Sequence, residues 1–206
     1  LLVLDEVATG FGRTGTLFAC QREGVVPDLL CLAKGLTGGY LPVAATLASD
    51  QVYRVFLGRY EEYRHFFHGH TYTGNALGCA AALATLDKLR DGRLVTDAAR
   101  KGALLRQALR PLDGHPNVGD VRHLGLMLGL ELVRERATRA PFPPGERVVH
   151  RLCLGLRERG FYVRPLGDVI VLMPPLTATD EQLRDLGQAV CEAVAARLGS
   201  AGRRGE

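Results

Sequence analysis

The stretch Asp28-Leu-Leu-Cys-Leu-Ala-Lys34-Gly-Leu-Thr-Gly-Gly39 decides how this chain folds. Its apolar run, Leu29–Leu32, has the length of a strand covered on both faces, and such strands belong to parallel sheets. The run stops at a lysine and glycines follow. Upstream, Leu1-Leu-Val-Leu-Asp5 has the same form, with a charged group at its end and a Gly- and Thr-rich loop to Gly15. Burying a lone amine or a lone carboxylate is costly, so both strand ends are expected to face one polar site.

Working outward, Ala19 lies in a short helical stretch, residues 16–24, closed by Gly24. A third strand is expected over Val43–Ala48, and Ser49 caps a helix over residues 50–57. Arg59–Thr73 reads as loop. Ala and Leu at helical spacing predict helices over Asn75–Leu89 and Arg93–Leu109. The turn cluster Asp113-Gly-His-Pro116 suggests a domain boundary. Beyond it the texture changes. Val118–Val133 reads as two strands split by Gly125, Val148–Arg159 as a helix, and Tyr162–Arg164 and Val169–Met173 as strands. Thr179 caps a last helix that ends near Leu198. These short pieces describe a small α+β domain.

The chain has 206 residues, 47% hydrophobic and 23% charged, enough for one large domain or two small ones. A net charge of +4 with scattered basic residues excludes a nucleic-acid surface. No apolar stretch is long enough to cross a membrane, and no signal peptide is visible. The five cysteines are widely spaced and lack CxxC pairs, which reads as reduced thiols in a cytoplasmic protein. The chain starts without Met inside an apparent buried strand, so it reads as part of a longer protein.

Four clusters carry chemistry. A primary amine and a carboxylate at the ends of parallel strands suit pyridoxal phosphate. Lys34 would form the Schiff base, and Asp5 would pair with the pyridinium nitrogen. Asp5 taken alone also suits a turn cap. Val7 can pack against one ring face, while Glu6 suits either a buried ion pair or a solvated loop charge. Arg13, among glycines, either holds the loop or guides an anionic substrate. His68-Gly-His-Thr-Tyr-Thr-Gly-Asn75 leads into a helix and offers N–H groups and a hydroxyl to a phosphate, or is an ordinary capped loop. Its histidines lack a third ligand at metal-binding spacing, so no metal is expected. Arg164 ends a predicted strand and suits either a carboxylate or a surface ion pair.

Together, Asp5-Glu-Val, Gly10-Phe-Gly-Arg-Thr-Gly15, Pro27-Asp28, Ala33-Lys34-Gly-Leu and Gly74-Asn75 resemble the class III pyridoxal-phosphate aminotransferases. The resemblance runs over essentially the whole chain and matches the carboxy-terminal half of that family. It implies an α/β architecture. Residues 1–112 would be part of a fold-type I large domain with a mostly parallel sheet. Residues 113–199 would be the small α+β domain, and 200–206 a disordered tail. It also implies a homodimer with shared active sites, in which His70 and Thr71 meet the cofactor phosphate of the partner's site. Gly69 would lie against substrate, and Arg164 would bind the substrate carboxylate. Arg164-Pro-Leu-Gly-Asp-Val-Ile-Val-Leu-Met-Pro-Pro175 points, within the family, to amination of 8-amino-7-oxononanoate in biotin synthesis, with adenosylmethionine as donor.

The family's amino-terminal half supplies a phosphate loop and a ring-stacking aromatic, so this chain alone is expected to be inactive or barely active. The alternatives are an ω-amino acid or diamine aminotransferase of the same family, a mutase or racemase of the same fold, and a truncated chain that only dimerises.

Overall fold

The structure, a computed structural model, describes residues 1–199. The expected tail at 200–206 lies outside the described residues. The chain divides into two compact units, the first ending at Thr96 and the second beginning at Asp97.

The first unit is built on a three-stranded sheet, in the order β1 (Val3–Asp5), β2 (Leu29–Leu32), β3 (Ala45–Ala48). β1 runs parallel to β2, with Val3 opposite Leu29 and Asp5 opposite Cys31. β3 runs antiparallel to β2. Leu30 and Leu32 point to the buried face and pack with Phe11, Leu36, Ala82 and Leu89. Helix α1 (Asp50–Arg54) starts at Ser49, whose hydroxyl accepts the Val52 N–H, and is shorter than expected. Helix α2 (Ala76–Leu89) is capped by Asn75, whose Oδ1 accepts the Gly78 N–H at 2.9 Å. α2 packs on the turn that carries Lys34.

The expectation that Leu1–Leu4 is buried is overturned. Leu1, Leu2 and Val3 are exposed, because β1 forms the sheet edge and pairs with β2 alone. The stretch at 16–24 forms a 3₁₀ turn, Ala19–Glu23, ended by Gly24 at φ 63°.

The second unit is an α+β layer structure. Its antiparallel sheet has the order β4 (Val118–Leu124), β5 (Met127–Leu132), β7 (Val169–Leu172), β6 (Arg164–Leu166). Alternation along β5 sends Leu128, Leu130 and Leu132 into the core, where Ile170 and Leu172 of β7 join them. Helices α4 (Val148–Glu158) and α5 (Asp180–Leu198) cover that face with Leu152, Leu156, Leu186 and Val190. Thr179 caps α5, its hydroxyl accepting the Gln182 N–H while the Gln182 side chain accepts the Thr179 N–H.

Helix α3 spans Arg93–Ala108, and the division between units falls inside it rather than at the 113–116 turn. The physical reason is packing: Ala98, Leu105 and Leu109 all belong to second-unit cores. Turn composition marks where the chain reverses, whereas a unit border follows where apolar side chains go.

Candidate active site

The loop after β1 is organised by Glu6, which the sequence left undecided. Its carboxylate is buried and accepts three hydrogen bonds: from the Thr9 hydroxyl at 2.7 Å, the Ala19 N–H at 2.8 Å and the Cys20 N–H at 2.7 Å. Burial by itself raises a carboxyl pKa, but these donors outweigh it and hold Glu6 below the ordinary glutamate range. The Glu6 main chain works as well, since its N–H donates to Cys31 O of β2 at 2.9 Å and its carbonyl accepts the Gly10 N–H at 2.9 Å. One residue earlier, Asp5 accepts the Val7 N–H on Oδ1 at 2.9 Å. The turn-cap alternative for Asp5 is therefore partly realised.

Lys34 stands two residues beyond the end of β2. It has φ 41°, a conformation that residues other than glycine rarely adopt. The next residue, Gly35, packs closely on Phe11: a Cβ there would fall 3.0 Å from Phe11 Cβ and 3.1 Å from Phe11 Cδ2. Phe11 also has a left-handed backbone, φ 59°, and is buried edge-on against Phe18. Phe11 thus ties the Asp5 loop to the Lys34 turn. Sequence reasoning did not single it out. A large apolar residue set between Gly10 and Gly12 was the signal available.

Asp5 and Lys34 accordingly leave the carboxyl ends of two neighbouring parallel strands, on one end of one sheet. Both side chains are exposed, which corrects the expectation that they are desolvated. β1 has a free outer edge, and Leu1, Leu2 and Val3 at its start are exposed, so this edge of the sheet is open to solvent. Val7 is half-buried beside Asp5. Arg13, also half-buried, belongs to the same loop, and burial pulls its guanidinium below the usual arginine value.

Gly69, His70 and Thr71 lie on an exposed loop ahead of α2. Here the His70 N–H donates to Thr73 Oγ1 at 2.9 Å, and the Thr73 N–H donates to His70 O at 2.9 Å. Asn75 caps α2. Tyr60, Tyr63, Phe66, Phe67 and Tyr72 on this segment are exposed.

Arg164 belongs to the second unit, and it opens strand β6 instead of closing a strand over 162–164. Tyr162 is held outward, with the Arg157 guanidinium 4.4 Å above its ring. Arg164 pairs with Val171 of β7, so the two side chains share a sheet face. On that face Leu124, Met127, Leu166, Val171 and Met173 line an open apolar cavity of about 380 Å³. Among the described residues no group of three His, Cys, Asp or Glu side chains comes together as a metal cage. Nor is any helix among them long and apolar enough to cross a membrane.

Comparison with known proteins bears directly on this arrangement. The family described as aminotransferase class-III matches residues 1–194. The adenosylmethionine-8-amino-7-oxononanoate aminotransferase of Nitratidesulfovibrio vulgaris is 56% identical over 195 residues, which are 95% of this chain and 36% of that protein. The crystal structure of the Methanocaldococcus jannaschii enzyme of the same name superposes with a TM-score of 0.90 at 47% identity, over 95% of this chain and 46% of that one. An amine transaminase from an uncultivated Pseudomonas species, solved in its PLP-bound form, gives 0.90 at 41% identity, over 96% and 45%. The chain thus spans less than half the length of these relatives. On the match over residues 1–194, the chain belongs to the class-III aminotransferase family.

Proposed function

We propose that the complete protein uses pyridoxal phosphate to move an amino group from adenosylmethionine to 8-amino-7-oxononanoate. The observation that carries this reading is the placement of Lys34 and Asp5 at the carboxyl ends of adjacent parallel strands, within a chain 56% identical to a relative named for that reaction. The residues present fit the cofactor: a primary amine held at a strained backbone position and a carboxylate share one sheet end. When bound, pyridoxal phosphate supplies an electron sink for the carbon that bears the amine.

The chain's own groups divide the work. Lys34 would hold the cofactor covalently, and its amine, when free, would carry a proton to and from the substrate carbon. One positioned acid–base group contributes about 10²–10⁴-fold. Asp5 would pair with the cofactor's ring nitrogen and favour its protonated form. Val7 would pack against a face of the ring. Gly69 leaves room for substrate, and Arg13 holds the loop and faces anions. Arg164 binds the substrate carboxylate. The apolar cavity on its sheet face suits the aliphatic part of a long keto acid. His70 and Thr71 would meet the cofactor phosphate in the site of a second copy. A homodimer is supported by the run of exposed aromatic side chains from Tyr60 to Tyr72, a surface of the kind that subunits cover. With no membrane-crossing helix among the described residues, a cytoplasmic location accords with this reading.

The test is Lys34→Ala in the complete protein. Loss of the visible cofactor absorbance together with turnover is expected, and persistent turnover refutes the assignment. A second reading, an ω-amine transaminase, is favoured by the 43% identity and TM-score of 0.88 to an (S)-enantioselective omega-transaminase from Thermomicrobium roseum. Offering adenosylmethionine with 8-amino-7-oxononanoate, and separately a simple amine with pyruvate, separates the two.

A further inference from the structure

The Glu6 carboxylate is a buried ionisable group that the proposed chemistry leaves unused. Only 3% of the residue is exposed, yet both carboxylate oxygens are engaged, Oε2 by Thr9 and Ala19 and Oε1 by Cys20. These donors come from two separated segments, so the carboxylate joins the start of the loop to its far end. Its own main chain is bonded to Cys31, three residues before Lys34, and to Gly10, one residue before Phe11. Phe11 in turn rests on Gly35. Asp5 therefore precedes, and Lys34 sits across from, a segment whose path is set by one buried carboxylate. Hydrogen bonds to a charged group are the stronger kind, and leaving one unmade in a buried place is costly.

We propose that Glu6 is a positioning residue of this site: it ties residues 6–10 to residues 19–20, and thereby sets where Asp5 presents its carboxylate and where Phe11 braces the Lys34 turn. The inference rests on the reading of Asp5 and Lys34 as the cofactor's ligands. Glu6 does not touch substrate. Its effect reaches the chemistry through the geometry of those two residues.

The experiment compares wild type, Glu6→Gln and Thr9→Val in the complete protein. Gln keeps the shape but turns one acceptor into a donor that faces an N–H. Val removes one donor and leaves Glu6 intact. In the cofactor-free protein, hydrogen exchange at the Ala19 and Cys20 amides should quicken about tenfold in Glu6→Gln. Pyridoxal phosphate, added as the probe, should bind about tenfold more weakly to Glu6→Gln, and the pH titration of its visible absorbance should move. Thr9→Val should shift the same readouts in the same direction, by about threefold. If Glu6→Gln does not fold, Thr9→Val decides. Faster exchange with an unmoved absorbance titration and unchanged binding makes Glu6 a merely structural clamp and overturns the proposal, as does unchanged exchange. Failure of the underlying reading looks different: wild type and Lys34→Ala would then show the same absorbance.

Discussion

The two units spend their residues differently. In the second, Leu105, Leu109, Leu130, Leu132, Leu156 and Ile170 are fully buried, and helices and sheet close a core from this chain alone. In the first, Leu1 is 89% exposed, Val26 88% and Tyr40 86%, while a carboxylate, Glu6, is among the most buried groups. The second unit is held by side-chain volume. Around Asp5 and Lys34, the first is held by backbone constraint: positive φ at Phe11 and Lys34, close approach at Gly35, and main-chain bonds to Glu6. The lesson is that the region around Asp5 and Lys34 is shaped by backbone placement, and much of the apolar surface of its unit stays exposed.

That contrast can be broken most directly at β5. Leu130→Ala should cost about 2–5 kcal/mol by denaturant unfolding, because a closed core cannot absorb the void. Leu47→Ala, on the exposed side of β3, should stay within about 0.5 kcal/mol. Equal effects would erase the distinction. Gly102→Ala comes next. A Cβ there would lie 1.9 Å from Gly125 O, a main-chain atom that cannot swing away, so a loss of about 1–3 kcal/mol is expected in the same measurement.

Gly35→Ala probes the other strategy. The nearest atoms belong to the Phe11 side chain and need shift by only a few tenths of an ångström, so stability should fall by about 1 kcal/mol or less. Activity of the complete protein should nonetheless fall about tenfold, since small misplacement of a reacting group is amplified in rate. A large stability loss with normal turnover would show that the site tolerates displacement.

The smallest effect concerns pH in the second unit. Arg100 is bonded to both Asp180 oxygens and to Asp97. Arg100 draws the Asp180 carboxyl below its ordinary value, and Lys101, then Arg100, do the same to Asp97. A carboxyl whose folded pKa is depressed stabilises the fold above its unfolded value, 3.8 for Asp, and that contribution fades as pH falls through the lower folded value. The contribution of these two carboxylates should therefore be flat near neutrality and fade below about pH 4, and Asp180→Asn should shrink that acid-side decline. These side chains are solvated, so the change should be small beside that of Leu130→Ala.

How much was legible follows the same divide. The placement of Lys34 after an apolar strand, and of Asp5 after its neighbour, could be read because strand length and terminal charge are local properties. The caps at Ser49 and Thr179 were legible for the same reason. The role of Glu6 was not: Asp5 and Glu6 are adjacent carboxylates, and only the path of the loop decides which is buried against Ala19 and Cys20. Arg164 was placed at the wrong end of its strand, because Phe161–Val163 has strand composition but no partner, whereas Arg164 finds Val171.

By itself the sequence determined the alternation of strands and helices, the placement of Asp5 and Lys34 at strand ends, and the family, because these rest on residue type and short-range spacing. Tertiary structure alone decided that β1 is an open edge, that the units divide inside α3, and that Glu6 is a buried anchor. Each depends on which distant groups come together, and burial and hydrogen-bond satisfaction are properties of that assembled neighbourhood, not of a residue and its flanks.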